Sequence, residues 1–275
     1  MLNFHKYHGT GNDFIMINNL DGLSPIPGIG EIKGLCDRHK GIGADGLIIL
    51  ESSDKTDCFM NYYNSDGTIA EMCGNGVRCT AKFFLECVRQ DLTQDMCEAL
   101  PRTINIDTRA GIKNIKINDD DTYSVDMGAP VFIHPDFPSE PTMIENFLFN
   151  FVSMGNPHAV TIVDDLNKID LKTIGPKIEN NSHFLNKINV EFVEKINDDY
   201  YKVLVWERGC GATLACGTGA CAVFAVLKKS PIPGIGGKEI TLEFPGGKLF
   251  LSKNEQGHII LRGPAVFVFK GEITL

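Results

Sequence analysis

Two cysteines stand in matching surroundings. Residues 71–80 read EMCGNGVRCT and residues 214–223 read LACGTGACAV, so Cys73 and Cys216 each open a Cys-Gly-x-Gly stretch that runs into an apolar, helix-like segment. A helix N-terminus presents unpaired N–H groups and partial positive charge, which attract carboxylate or phosphate and lower the pKa of a nearby thiol. Glycines on both sides of Asn75 and of Thr218 would let backbone approach a ligand. Singly, each cysteine reads as a small core residue. The repetition argues for chemistry, because core packing offers no evident reason for glycine on both sides of one polar position. Two such thiols suit the inversion of a stereocentre. One thiolate takes a proton from a carbon next to a carboxylate, the other thiol delivers one to the opposite face, and helix-end N–H groups stabilise the charge that develops.

Other chemistries fit less well. The spacings Cys73 to Cys79, Cys210 to Cys216 and Cys216 to Cys221 are not the short knuckles of structural zinc sites, so no metal is expected. A cysteine hydrolase pairing Cys73 or Cys216 with His158 leaves the second motif unexplained. GIGADG at 41–46 matches a bare dinucleotide pattern, but a helix-like segment (EIKGLCDRH) precedes it and a strand follows, the reverse of what that fingerprint needs.

The elements that position these residues come in two sets. Asn12 in TGNDF and Asn156 in MGNPH lie 144 residues apart, and Cys73 and Cys216 lie 143 apart, as an old duplication would leave them. A second identity, SPIPGIG at 24–30 and again at 230–236, has a different offset, and we have no physical account of it. Strand-like runs dominate, among them FIMIN, GLIIL, TINID, FLFNFV, AVTIV, YKVLVW, KEITLEF, KLFLS and HIILR. Two helices begin at the cysteine motifs; GACAVFAVL is apolar on every side and so is expected to be enclosed. These features predict an α/β fold of α+β type: two pseudo-symmetric domains, each a mostly antiparallel sheet or barrel around a central helix. The polar run NDDDT at 118–122 suggests a division into 1–119 and 120–262, with the active site at the interface.

The chain has 275 residues and a net charge of −9 with both signs interspersed, which argues against a nucleic-acid partner. No window is apolar enough for a membrane span, no leader-like segment opens the chain, and nine cysteines without a CxxC pair point to a reducing, cytoplasmic setting.

The motifs HGTGNDF, GIGADG, NSDGTIAEMCGNGVRC, MGNPHAV, KINVEFV, ERGCGATLACGTGACA and LRGPAVFVFKGEI together resemble the diaminopimelate epimerase family, among the two-cysteine, pyridoxal-phosphate-independent amino-acid racemases. The resemblance runs nearly end to end. It implies conversion of LL- to meso-diaminopimelate without metal or cofactor, on a fold of two similar domains, with the segment 263–275 returning to the first. Carried over by position, Cys73 and Cys216 resemble the acid/base pair. Asn12, Asn64, Asn156 and Asn189 resemble substrate-holding asparagines, and Glu207 with Arg208 the pair that grips the distal amino-acid group. Gly74, Asn75, Gly217 and Thr218 would supply helix-end contacts, and His158 and Glu207 would adjust the thiols. Gly46 stands where many relatives carry glutamine, which suggests a roomier distal pocket. Phe269 stands where some carry a tyrosine tied to dimer contacts, so a homodimer is a plausible assembly. Two alternatives carry different expectations: a racemase of the proline racemase kind, which tends to have histidine where Asn75 stands, and a non-catalytic amino-acid-binding relative, which would leave the substrate Cα unlabelled in deuterated water.

Overall fold

The computed structural model describes residues 1–89, 102–229 and 239–275. It divides into two compact units, Met1–Val125 with Gly263–Leu275, and Asp126–Arg262. In chain order the first unit holds β1 (Leu2–Gly9), β2 (Asn12–Asn19), α1 (Ile29–Cys36), β3 (Gly46–Glu51), β4 (Cys58–Asn64), α2 (Gly74–Arg89), β5 (Thr103–Asp107), β6 (Lys113–Ile117) and β7 (Thr122–Asp126). The second holds β8 (Thr142–Ile144), β9 (Phe147–Ser153), β10 (Pro157–Val163), α3 (Leu171–Glu179), β11 (Asn189–Lys195), β12 (Tyr200–Glu207), β13 (Gly211–Thr213), α4 (Gly217–Lys229), β14 (Glu239–Phe244), β15 (Gly247–Lys253) and β16 (Ile259–Pro264). The last strand, β17 (Val266–Ile273), belongs to the first unit, where it pairs with β1.

The two sheets repeat one pattern. In the first, the order β17-β1-β2-β3-β4-β5-β6-β7 is antiparallel throughout except at β2–β3 and β4–β5. In the second, β8-β9-β10-β11-β12-β14-β15-β16 is antiparallel except at β10–β11 and β12–β14. The parallel pairs fall at the same places, and the registers agree: Phe14 pairs with Gly46 as His158 pairs with Asn189. The duplication inferred from two motifs therefore extends through all eight strands. It matches Asn12 to Asn156, Phe14 to His158, Gly46 to Asn189, Ile48 to Glu191, Asn64 to Glu207 and Cys73 to Cys216.

Each sheet is covered on both faces, which explains continuous apolar runs such as GLIIL. In the first unit Ile15, Ile17, Leu47 and Ile49 pack with Ile32 and Leu35 of α1, while the opposite face meets α2, whose Val77, Ala81, Phe83 and Leu85 are buried. In the second, Phe149, Phe151, Val190 and Phe192 pack with Ile178 of α3. Its other face meets α4, buried from Gly219 through Leu227.

The NDDDT run does not separate the halves. It closes the β6–β7 hairpin, with Asp121 at positive φ and Ile117 paired to Tyr123, and the division lies after Val125. Polar turn residues mark a reversal, and here it lies within a sheet. The first SPIPGIG leads into α1; the second, at 230–236, lies outside the described residues.

Candidate active site

Each thiol sits at a helix start. The Cys73 carbonyl accepts from Val77 N at 2.8 Å and the Cys216 carbonyl from Ala220 N at 2.9 Å. Both cysteines thus occupy the N-cap position, and Gly219 N also donates to Cys216 Sγ at 3.3 Å, so the sulfur takes the role usual for a serine or aspartate oxygen.

The second glycine of each motif answers to packing. A Cβ on Gly76 would lie 3.0 Å from Met60 Cε and 3.1 Å from Ile48 Cδ1; on Gly219 it would lie 2.6 Å from Glu191 Oε1. The sequence suggested ligand access as the reason for glycine on both sides of the polar residue. At these two positions the floor beneath the helix is the reason, and Gly74 and Gly217, both buried, remain the candidates for backbone contact with a ligand.

In the first unit, the β1–β2 turn brings Asn12 to the thiol. Thr10 and Gly11 have φ of 56° and 82°, both positive as a tight hairpin with right-handed twist requires. Gly9 has no room for a side chain, since a Cβ would lie 3.0 Å from Asn75 O. Asn12 Oδ1 accepts from Cys73 Sγ and from Asn75 Nδ2, each at 3.3 Å. Asn12 Nδ2 donates to Asp45 Oδ2 at 2.8 Å. Asp45 is held by Arg38, which also grips Asp13 through both nitrogens. Burial pushes the Asp13 carboxyl up, but hydrogen bonds from Arg38 and Lys6 outweigh it and hold Asp13 well below the usual carboxylate range. Asn64, at the end of β4, donates to Thr68 Oγ1 at 3.0 Å. It lies across from Gly46, and the place a Gly46 side chain would take is filled by Tyr62 Cε2 and Tyr63 O, each 2.6 Å from a built Cβ. The missing glutamine leaves an aromatic ring in its stead, not the open space the sequence suggested.

In the second unit, ionisable groups replace the apolar floor. His158 and Glu191 are fully buried and joined Nδ1 to Oε1 at 2.7 Å; their counterparts below Cys73 are Phe14 and Ile48. His158 Nε2 meets Asn156 Oδ1 at 3.0 Å, Asn156 Nδ2 donates to Thr218 Oγ1 at 3.3 Å, and Thr218 Oγ1 lies 3.4 Å from Cys216 Sγ. Each ring nitrogen of His158 thus faces an oxygen, of the Glu191 carboxyl on one side and of the Asn156 amide on the other. Burial pushes the Cys216 thiol well above its ordinary range and the Glu207 and Glu191 charges add to the push, while the Thr218 hydroxyl and Gly219 N–H act against it. Burial likewise raises the Glu207 carboxyl, opposed by hydrogen bonds from the Thr213 hydroxyl, at 2.5 Å, and from the Cys216 thiol. A carboxyl so raised is a better acceptor for the thiol proton.

Asn189 is buried with both amide ends engaged: Nδ2 donates to Pro157 O at 2.8 Å and Oδ1 accepts from Arg208 N at 2.9 Å. It thereby ties β10 to the turn that carries Arg208. Glu179 steadies the same turn, accepting from Trp206 Nε1 at 2.8 Å and Gly209 N at 2.9 Å. The Arg208 guanidinium is exposed and donates to Asn186 O at 3.2 Å. Sequence reasoning missed Asp45, Arg78, Glu191 and Thr213. Glu191 had a signal in NVEFV, since it shares a strand face with Asn189 two residues earlier and sits in an otherwise apolar run.

Residues 4–133 and 150–268 match the family model described as diaminopimelate epimerase. A curated diaminopimelate epimerase of Gloeothece citriformis is 40% identical, covering 98% of this chain and 98% of its own. One from Methanococcus maripaludis strain C5 is 41% identical over 100% of both. Among solved structures, a phenazine biosynthesis protein of the PhzF family from Bacillus anthracis superposes with a TM-score of 0.72 at 18% identity, covering 100% of this chain and 99% of that one. A hydroxyproline epimerase from Agrobacterium vitis superposes with 0.67 at 13%, covering 98% and 91%. These two are likenesses of fold.

Proposed function

Because this chain belongs to the diaminopimelate epimerase family, we propose that it interconverts LL- and meso-diaminopimelate by proton transfer between Cys73, Cys216 and the substrate α-carbon. The observation that carries this reading is the placement of the two thiols at the N-cap of topologically equivalent helices, the Cys73 sulfur donating to Asn12 of the β1–β2 turn and the Cys216 sulfur accepting from Gly219 N of its own helix opening. In one direction a thiolate removes the α-proton and the other thiol protonates the opposite face; the roles exchange in the reverse direction. Glu207 relieves Cys216 of its proton, and His158 with Glu191 sets the donor arrangement around that sulfur. The Gly74–Asn75 and Gly217–Thr218 N–H groups bind the reacting carboxylate. Asn12, Asn64, Asn156 and Asn189 order the polar groups around the substrate, and Arg208 with Glu207 receives the distal carboxylate and ammonium.

Among the described residues no helix is long and apolar enough to cross a membrane. We propose a reducing compartment such as the cytoplasm, as the cysteine usage of the sequence suggests. As a partner we propose a second copy of the chain on the outer strand β17, where Val266, Phe267, Val268 and Phe269 are all exposed. Sedimentation of Phe269→Glu against the parent checks this, with a shift to monomer expected.

The function is tested by incubating LL-diaminopimelate with the protein in deuterated water. Deuterium appearing at one Cα together with meso product is expected. Unlabelled, unchanged substrate would leave a binding protein.

A further inference from the structure

We propose that Asp45 is a positioning residue for Cys73: through Asn12 it holds the Cys73 sulfur in its protonated, donating form. This rests on the reading of Cys73 as an acid/base group. A carboxylate only accepts, so the Asn12 atom 2.8 Å from Asp45 Oδ2 is Nδ2, and Oδ1 is left facing the thiol. The opposite end is fixed in the same way. A guanidinium only donates, so Arg78 Nη2, 2.9 Å from Asn75 Oδ1, turns Asn75 Nδ2 toward Asn12. Arg78 is fully buried and anchored on Gly74 O at 3.1 Å, Thr10 Oγ1 at 3.2 Å and Pro264 O at 3.2 Å. Asp45 is anchored by Arg38 Nη2 at 2.7 Å and by Asp13 N at 3.1 Å.

The donors therefore run one way, from Arg78 through Asn75 and Asn12 to Asp45, and neither amide can turn without setting like against like. Asn12 Oδ1 offers only lone pairs, which welcome S–H and repel a thiolate. The second unit solves the same problem differently. There Asn156 meets His158, whose ring nitrogens can donate or accept according to tautomer, whereas Phe14 stands at the equivalent place in the first unit. Asn12 is thus oriented by Asp45 at one end and, through Asn75, by Arg78 at the other, with Arg38 and Asp13 behind Asp45.

The test is the rate at which iodoacetamide labels Cys73, read by peptide mass spectrometry on the full, substrate-free chain at a fixed pH below the thiol pKa. In Asp45→Asn, residue 45 can offer an NH2 group, one of the two holds on the Asn12 amide is lost, and labelling is expected to rise about tenfold, the effect of about one pKa unit. Asp45→Glu keeps an acceptor-only group and stays within about twofold of the parent, well short of that one-unit effect. Asn12→Ala gives the same rise, and adding Asp45→Asn to it gives nothing more, as expected if Asp45 acts through Asn12. Parent-like labelling in Asp45→Asn, or a further rise in the double variant, overturns the proposal. Asp45 is 43% exposed, so its variants should fold; if Asp45→Asn does not, Asp45→Ala, which removes the acceptor that fixes the Asn12 amide, carries the same test. Labelling needs no diaminopimelate. A protein that labels as expected but does not epimerise overturns the functional reading and leaves this one standing.

Discussion

Adding one methyl group at Gly219 and at Gly76 separates the two floors on which the thiols rest. At Gly219 the new Cβ meets Glu191 Oε1 at 2.6 Å and Cys216 Cβ at 3.1 Å. The carboxylate is fully buried and held by His158 at 2.7 Å, so it cannot swing away without breaking that pair. At Gly76 the nearest atoms are Met60 Cε at 3.0 Å and Ile48 Cδ1 at 3.1 Å, the far ends of flexible side chains, and Cys73 Cβ lies at 3.4 Å, an ordinary contact. Alanine gains up to about 1 kcal/mol over glycine inside a helix, and overpacking a tight site costs about 1–3 kcal/mol. For Gly76→Ala these nearly cancel. For Gly219→Ala the overlap lies at the upper end of that cost, for a net loss of about 2 kcal/mol. Relief by lifting the start of α4 would move Cys216 by a large part of an ångström, enough to lower kcat about a hundredfold. Urea unfolding and the epimerisation rate of both variants provide the assay. If Gly219→Ala matches Gly76→Ala in stability and in kcat, Glu191 does not floor the Cys216 helix as described.

Further outcomes follow from the charged groups. Glu191→Leu leaves the buried His158 ring without its carboxyl partner and should cost about 3–5 kcal/mol, whereas His158→Phe with Glu191→Ile, the residues of the first unit, should recover most of that stability. The double variant should remain inactive, because the donor arrangement at Cys216 is gone; chemical denaturation and turnover together check this. Asp13 is held below its unfolded value of 3.8, so it contributes stability that is fully present above that pH and is lost as pH falls toward the folded value. Acid titration of stability should therefore show a steeper decline below about pH 4 in the parent than in Asp13→Asn.

Much of this was legible in the chain because glycine and cysteine at a helix start are constrained by geometry, and the same constraint written twice stands out against ordinary strands. The runs FIMIN, GLIIL and AVTIV lie in strands packed on both faces, which leaves a nearly unbroken apolar signature, whereas TINID shows the alternation of a strand with one buried face. The parallel pairs β2–β3 and β10–β11 were not legible, since nothing local distinguishes a parallel neighbour from an antiparallel one. Strands β8 and β13, of three residues each, were too short to show a period. The charged members of the site stayed hidden for a different reason. Arg78 in a helix and Asp45 in a loop look like surface residues until tertiary structure buries one and bonds the other to Asn12. Glu191 shares a strand face with Asn189 in the sequence, but only the facing helix start at Gly219 turns that position into a floor.

The central claim is that Cys73 and Cys216 are the two proton carriers of one inversion, and it is tested most directly by a stereochemical assay of Cys73→Ala and Cys216→Ala on LL- and meso-diaminopimelate. The account predicts that both variants stay folded and that both lose epimerisation in both directions. Either variant retaining the parent rate would contradict it.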